Sequence, residues 1–338
     1  MAVSLKDISR VTNINTCSIS QVLNNHPKAM SLRPETRAKI LAAAKELGYC
    51  KNEMAASMSG KHSKILAFVT CPMGGSEYTG VIQNGILNTA AERGYTIIVF
   101  RLETMSEDEI IAKLLGWRVA GVVFHISKVS WANKIISVLK KNSIYYGFVN
   151  LSNPDGIGVT SDDRMGIEEA VKYLVERGHR KIAFARIGLK NPIEYDIRRV
   201  QGYRDGLAEY NPEQEEKIFN IKNMYLSDDK EYLDGVISEI IAEKFDAVIC
   251  ISDLLAAEIN NAALQHNYRV PENFSLIGFG NSVISPMLFP PLTTISQDFE
   301  LMGRTAVNFI IDRIENKNDN VSHNIMQPTK LLVRKSVK

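Results

Sequence analysis

Cysteine is scarce in this chain of 338 residues, which contains only four, at positions 17, 50, 71 and 250. They form no CxxC pair and adjoin no histidine cluster, so we expect neither a disulfide framework nor a zinc site. We expect the protein to occupy a reducing compartment. No stretch reaches the roughly 18 apolar residues of a membrane span. The first residues, with Lys6, Asp7 and Arg10, lack the pattern of a signal peptide. The sequence therefore predicts a cytoplasmic protein with no membrane partner.

Groupings of residues that would carry catalysis are also missing. The six histidines are scattered without metal-ligand spacing, and Gly74-Gly75 is too short for a phosphate-binding loop. Asp162 and Asp163 are adjacent carboxylates that could suggest acid–base work, but no nucleophile motif accompanies them. We therefore expect no enzymatic activity, no metal and no cofactor.

Charge is nearly balanced over the whole chain, at +2, but it is unevenly distributed. Residues 1–64 contain ten Lys and Arg against four Asp and Glu, whereas the remainder contains 30 against 34. A basic segment of net charge +6 thus precedes a body of net charge −4. This asymmetry is typical of a nucleic-acid-binding head on a body with another task, although chance clustering would give the same numbers.

The first 48 residues have the pattern of three short helices. Ser4 with Asp7 resembles a capping box at the start of the first helix. Asn13 suits a tight left-handed turn, and Asn15 is a plausible cap for the second helix. Pro34 occupies an allowed early position of a third helix, whose predicted apolar stripe is Ile40, Leu41, Ala44 and Leu47. Two helices joined by a tight turn, followed by a third, indicate a helix-turn-helix unit.

From residue 64 onward, short apolar runs alternate with amphipathic segments. The predicted strands are 65–69, 95–100, 121–124, 145–149, 182–185, 247–251 and 275–279. The predicted helices are 81–93, 107–115, 132–140, 236–243 and 254–266. Such alternation indicates parallel sheets with crossover helices, and the break near 150–162 indicates two similar α/β lobes.

Several motifs, taken in order, resemble the lactose/galactose repressor family. The head carries LKDISRVTNINTCSISQVLNN and ETRAKILAAAKELGY. The body carries DDRMGIEEAVKYLVERGHRKIAF, VPENFSLIGFGN, PPLTTISQDFELMGRTAV and LLVRKS. Any one of these pieces is weak evidence, but the ordered set is specific and spans nearly the whole chain.

The resemblance implies an α/β fold with an all-helical N-terminal head and a core like periplasmic sugar-binding proteins, in which the chain crosses between two lobes three times. The implied divisions are a helix-turn-helix domain at 1–48, a hinge at 49–63 and an effector-binding and dimerisation core at 64–338. Lobe one would comprise about 64–162 and 297–325, and lobe two about 163–296 and 326–338. The third crossing is implied by the resemblance alone.

The resemblance also implies a set of DNA-contacting residues. In the head these are Ser4, Thr16, Cys17, Ser18, Ser20, Gln21 and Asn24. Gln21 stands where most family members have Arg, and glutamine suits adenine where arginine suits guanine. The loop between the second and third helices is about three residues longer than the common form.

In the hinge, the implied DNA contacts are Asn52, Ala55 and Met58. Met58 takes the place of a leucine that wedges into the minor groove, and methionine is also able to act as such a wedge. Lys51 and Ala56 replace the usual Pro and Arg of this segment.

A second implied site is the effector cleft between the lobes. Its predicted contacts are Pro72, Tyr78, Arg199, Tyr225, Ser252, Asp253, Gly280 and Phe299. Arg199 is expected to be a long cation in an otherwise uncharged cleft. Gly280 replaces a usual Asp, which removes an acceptor for sugar hydroxyls.

The sequence therefore predicts a homodimeric transcriptional regulator, a repressor of a small catabolic or transport operon. Its partners would be double-stranded operator DNA with an inverted repeat and a small effector, with a sugar as one candidate. The alternatives are a cytosolic small-molecule-binding protein without regulatory DNA binding, which the basic head opposes, and an enzyme.

Overall fold

The computed structural model describes residues 3–24, 26–49, 63–71, 78–153, 155–188, 192–221, 230–316 and 323–338. The chain divides into two compact units, Met1–Lys64 and Ile65–Lys338.

The first unit contains α1 (Leu5–Thr12), α2 (Thr16–Leu23) and α3 (Pro34–Glu46), with a short 3-10 helix (Pro27–Ser31) formed by the longer loop. Its core is a small apolar cluster built around Ile8, Ile19 and Ile40, all completely buried. Fully burying side chains of this size contributes about 1.5–3 kcal/mol each. The predicted stripe on α3 is wrong at Leu41, which is 54% exposed, because Ala43 takes the inward position instead.

The second unit contains twelve strands in the part of the chain that the structure describes. They are β1 (Ile65–Thr70), β2 (Thr96–Arg101), β3 (Gly121–His125), β4 (Tyr145–Val149), β5 (Ile157–Ser161), β6 (Ile182–Ile187), β7 (Ile218–Ile221), β8 (Ala247–Cys250), β9 (Ser275–Gly280), β10 (Thr293–Ser296), β11 (His323–Gln327) and β12 (Lys330–Leu332). The strands form two six-stranded sheets, ordered β11-β5-β4-β3-β1-β2 and β12-β10-β9-β8-β6-β7. Every pairing is parallel except β10 with β12. The predicted α/β class with parallel sheets is confirmed.

Helices cover both sheets. They are α4 (Tyr78–Glu92), α5 (Glu107–Gly116), α6 (Asn133–Lys141), α7 (Asp163–Glu176), α8 (Glu194–Tyr210), α9 (Lys230–Glu243), α10 (Asp253–Gln265) and α11 (Phe299–Asn316), and a 3-10 turn (Val129–Ala132) precedes α6. The apolar clusters beneath them are buried on both faces of the first sheet and around the second. Within the described residues, no helix is long and apolar enough to span a membrane.

The chain passes between the two sheets three times. It leaves the first sheet after β5, returns after β10 to form α11 and β11, and finally adds β12 to the second sheet. The last segment is fastened by Ser336, whose hydroxyl donates to the Leu276 carbonyl at 2.6 Å and accepts from the Thr293 N–H at 2.8 Å. Open α/β sheets bind ligands at the carboxyl ends of their parallel strands. The crossings connect the segments that carry these ends in the two sheets.

Candidate functional site

The helix-turn-helix geometry arises from two local caps. The Asp7 carboxylate accepts hydrogen bonds from the Ser4 hydroxyl at 2.7 Å and the Ser4 N–H at 3.0 Å, and both contacts lower the pKa of Asp7. Asn13 adopts the left-handed conformation, with φ of 59°. The Asn15 side chain then accepts from the Ser18 N–H at 2.7 Å at the start of α2. The capping box and both asparagine roles are therefore confirmed.

The predicted DNA-reading residues lie on the outer side of α2. Thr16 and Cys17 are exposed, and Gln21 is half-buried one turn later. The Gln21 side-chain nitrogen donates to the Cys17 sulfur at 3.6 Å, so these two side chains share one face of the helix.

The last two predicted head contacts are joined to each other at the end of α2. The Asn24 side-chain nitrogen donates to the Ser20 carbonyl at 2.9 Å and to the Ser20 hydroxyl at 3.1 Å. The Ser20 carbonyl also accepts the Asn24 backbone N–H at 3.0 Å, so Asn24 closes the last turn of the helix through both its backbone and its side chain. Asn24 is exposed at this helix end.

Five of the predicted site residues lie outside the described residues. They are Asn52, Ala55 and Met58 of the hinge, and Pro72 and Tyr225 of the effector cleft. Their roles stay predictions.

Arg199, on α8, is buried and bonded to three other residues of the chain. Its guanidinium donates to the Asp163 carboxylate at 2.9 Å, to the Ile251 carbonyl at 2.6 Å and to Gln297 at 3.2 Å. The expectation of an otherwise uncharged cleft is wrong, because Asp163 is completely buried and forms a 2.8 Å ion pair with Arg199.

Aromatic rings enclose the same guanidinium. Its central carbon lies 3.6 Å from the ring centre of Phe279 and 4.8 Å from that of Tyr195. Contacts of this kind stabilise a cation by about 0.5–2 kcal/mol. Burial raises the pKa of the Tyr195 hydroxyl, which therefore stays protonated. The Arg199 guanidinium is thus held between two flat aromatic faces, and its charge is neutralised by Asp163.

A second aromatic group belongs to the segments around the first sheet. Tyr78 stacks on Phe299 with ring centres 4.7 Å apart and planes 16° apart. The Tyr78 ring also meets His125 edge-on at 6.0 Å. Two predicted effector contacts are thus together, and His125 joins them from the carboxyl end of β3.

His125 is completely buried, and neither of its ring nitrogens has a hydrogen-bond partner in the described part of the chain. Burial lowers its pKa from 6.5 to about 4, so the ring is neutral at physiological pH. A neutral imidazole offers one donor and one acceptor. This residue is thus equipped to contact a polar, uncharged group.

Ser252 and Asp253 start α10 and brace a loop. The Ser252 hydroxyl caps the helix, accepting from the Leu255 N–H at 3.2 Å. The buried Asp253 carboxylate accepts from the Ser282 N–H at 2.6 Å and from the hydroxyls of Ser285 and Thr294. These contacts hold the segment that follows β9.

Gly280 ends β9 with φ of 122°, a conformation that side chains rarely adopt. A Cβ added there would lie 3.7 Å from the Asp253 carboxylate and 3.9 Å from the Phe299 ring. The position at which the family usually has Asp is therefore a backbone turn in this chain.

Sequence reasoning missed Asp163, His125 and Gln297 as members of the cleft. Gln297 donates to the Ser161 hydroxyl and accepts from Arg199, so it ties the second crossing to the first. Asp163 belongs to a motif that was recognised, but its pairing with Arg199, 36 residues away, is visible only in three dimensions. Within the described residues, no group of three or more His, Cys, Asp or Glu side chains could hold a metal ion.

Comparisons with known proteins agree with this architecture. The periplasmic binding protein-like domain family matches residues 171–337. The transcriptional regulator RegA of Clostridium saccharobutylicum is 26% identical over 340 residues, which cover 99% of each chain. The operon regulator NtdR of Bacillus subtilis is 28% identical, over 98% of this chain and 99% of its own. Catabolite control protein A of Priestia megaterium is 26% identical over the whole of both chains.

Among solved structures, the lac repressor dimer bound to operator and an anti-inducer has a TM-score of 0.84, with 22% identity over 99% of both chains. The CelR–cellobiose complex has a TM-score of 0.66, with 23% identity over 99% of both chains. At this identity the structural likeness establishes the shared fold.

The helix-turn-helix head, the two-sheet core and the full-length relatives together define a DNA-binding transcriptional regulator with an effector-binding core. The chain is similar over its whole length to transcriptional regulators such as RegA, NtdR and catabolite control protein A, and it has the fold of the lac repressor.

Proposed function

We propose that this regulator is a repressor of a small catabolic or transport operon and that it acts in the cytoplasm as a homodimer on an inverted-repeat operator. A small effector in the cleft beside Arg199 switches it between its DNA-bound and free forms. The observation that carries the proposal is the outer face of α2, where Cys17 and Gln21 project from a head of net charge +6. We assign no catalytic role to this protein.

The dimer is supported by an apolar surface on the segment that Asp253 braces. Val283, Met287 and Phe289 are 61%, 75% and 89% exposed, respectively. Large apolar side chains grouped in this way are typical of protein–protein interfaces. A two-fold dimer presents two recognition helices and therefore reads a two-fold site.

Selection from a random DNA library by the full-length protein tests the function. We expect enriched sites that form an inverted repeat, with an adenine at the half-site position read by Gln21, because glutamine bonds adenine through two atoms. Gln21→Ala should relax preference at that one base, by about 1–3 kcal/mol of discrimination. Its salt dependence should stay almost unchanged, because glutamine has no charge with which to release counterions.

Gln201→Ala, on the exposed face of α8 in the core, is the matched control and should select the same sites as the unaltered protein. Enriched sites without symmetry, or an unchanged base preference in Gln21→Ala, would refute the proposed recognition. Failure to enrich any DNA would favour the small-molecule-binding alternative.

Effector binding is tested by a thermal-shift screen of sugars, nucleosides and amino acids. Any compound that raises the unfolding temperature is then tested with Arg199→Ala, which should bind operator but not respond to that compound. Because this substitution leaves Asp163 with one cation fewer, circular dichroism must first show that the variant is folded. A folded variant with a normal response would place the effector elsewhere.

A further inference from the structure

The Glu194 carboxylate, on one side of the cleft, accepts two hydrogen bonds from Ser152 on the other side. Ser152 follows β4 of the first sheet, and Glu194 begins α8, which packs with the second sheet. One Glu194 oxygen accepts the Ser152 N–H at 2.9 Å, and the other accepts the Ser152 hydroxyl. Hydrogen bonds to an ionised acceptor are about twice as strong as neutral ones.

The position of the Glu194 carboxylate is fixed by an ion pair with Arg198. Arg198, one turn along α8, donates to Glu194 at 2.5 Å and to Asp163 at 3.0 Å. The other Asp163 oxygen accepts from Arg199 at 2.9 Å. The five residues thus form a continuous chain of charged contacts from Arg199, the proposed effector residue, to Ser152.

Ser152 is also fixed on its own side. The neighbouring Asn153 exchanges two hydrogen bonds with Asn324 of β11, at 2.8 and 3.1 Å. Strand β11 leads directly into the third crossing, where the Thr329 hydroxyl donates to the Asp162 carbonyl at 3.1 Å. A displacement of Ser152 would therefore be transmitted through Asn153 to β11, which leads into the third crossing.

We infer that Glu194 is a positioning residue whose hydrogen bonds to Ser152 couple closure of the cleft to the position of Arg199. This inference rests on the proposed function for its effector, but the clasp itself is a property of the core. A ligand that shifts the Arg199 side chain moves its partner Asp163 with it, and hence Arg198 and the Glu194 carboxylate that holds Ser152.

Amide hydrogen exchange on the full-length protein tests the clasp without any ligand or DNA. Glu194→Gln keeps the size of the side chain but replaces one acceptor oxygen with a donor. We expect exchange at residues 150–153 to accelerate about tenfold, as the loss of a charge-assisted hydrogen bond predicts. Ser152→Ala should accelerate it less, because the backbone N–H remains, and Ser152→Thr should restore the original rate.

Glu209→Gln, an exposed substitution at the other end of the same helix, is the control and should leave these amides unchanged. Strands β6 and β9 should keep their protection in every variant, which shows that the fold is intact. If Glu194→Gln and Ser152→Ala exchange like the control, the clasp does not hold the cleft and the inference is wrong. Because this measurement needs no operator, a failure of DNA selection would overturn the proposed function separately.

Discussion

Replacing His125 with phenylalanine should flatten the pH dependence of stability. The histidine is buried at the end of β3, where it pairs with Thr70 of β1 and lies edge-on to Tyr78, and neither ring nitrogen has a hydrogen-bond partner in the described residues. Its pKa is about 4 in the folded protein and 6.5 in the unfolded chain. The unfolded chain therefore binds more protons between these two values, and stability must fall as the pH falls through this window.

The magnitude follows from the difference of the two pKa values. One unit corresponds to 1.36 kcal/mol, so the full transition removes about 3 kcal/mol, of which about 2 kcal/mol is lost between pH 7 and pH 5. Phenylalanine cannot be protonated and should escape this loss. His179, also buried, has its pKa lowered by burial and adds to the slope, but it is present in both proteins and cancels in the comparison.

Urea unfolding at pH 7 and pH 5, followed by circular dichroism, measures the effect. The drop in free energy of unfolding between the two pH values should be about 2 kcal/mol smaller in His125→Phe than in the unaltered protein. His125→Leu repeats the test with a different shape, and His26→Gln, at an exposed position of the head, is the control. Equal drops in all four proteins would refute the assignment of a buried neutral histidine.

Three further substitutions test the packing that shapes the core, each by urea unfolding. Asp253→Asn should cost about 2–4 kcal/mol, because an amide donor would face groups that donate to the carboxylate. Gly85→Ala should cost about 2 kcal/mol or more, since a Cβ there would overlap the Glu300 carbonyl on the facing helix, whereas Gly116→Ala meets nothing and should be nearly neutral. Ser336→Ala should cost about 1–3 kcal/mol, because it removes two buried hydrogen bonds of the last segment. A loss no larger than that of Gly116→Ala would contradict any of the three.

The head was predictable because its determinants are local. Capping by Ser4, Asn13 and Asn15 depends on contacts within a few residues, and all three adopt the expected roles. The error at Leu41 arose because helical spacing alone cannot decide whether position 41 or position 43 faces inward. Ala43 packs in the same apolar cluster as Ile8 and Ile19 of the other two helices, and that contact is decided in three dimensions.

The core was less predictable where strands are short or weakly apolar. Strand β5 (Ile157–Ser161) lies within the segment taken as the break between lobes, since its sequence IGVTS has only two large apolar residues. Strand β11 is separated from its neighbour β5 by more than 160 residues. The pairing of Ile325 with Val159 therefore cannot be predicted from the sequence near either strand. Only the family resemblance implied that the chain returns there.

The chemistry of the cleft depends on a pairing that no local pattern contains. Taken alone, Arg199 suggests attraction for an anionic effector, but Asp163 removes that net charge, and the Ile251 carbonyl and Gln297 each accept a further hydrogen bond from its guanidinium. An anion would have to displace a buried carboxylate whose contact with the cation is already desolvated, and that exchange brings little net gain. We therefore expect the stacked rings of Tyr78 and Phe299 and the neutral His125 to be the groups that select an effector. On the proposed function, we therefore expect Arg199 to organise the cleft and to transmit its closure, and we expect effector recognition to depend on flat apolar surface and uncharged hydrogen bonding.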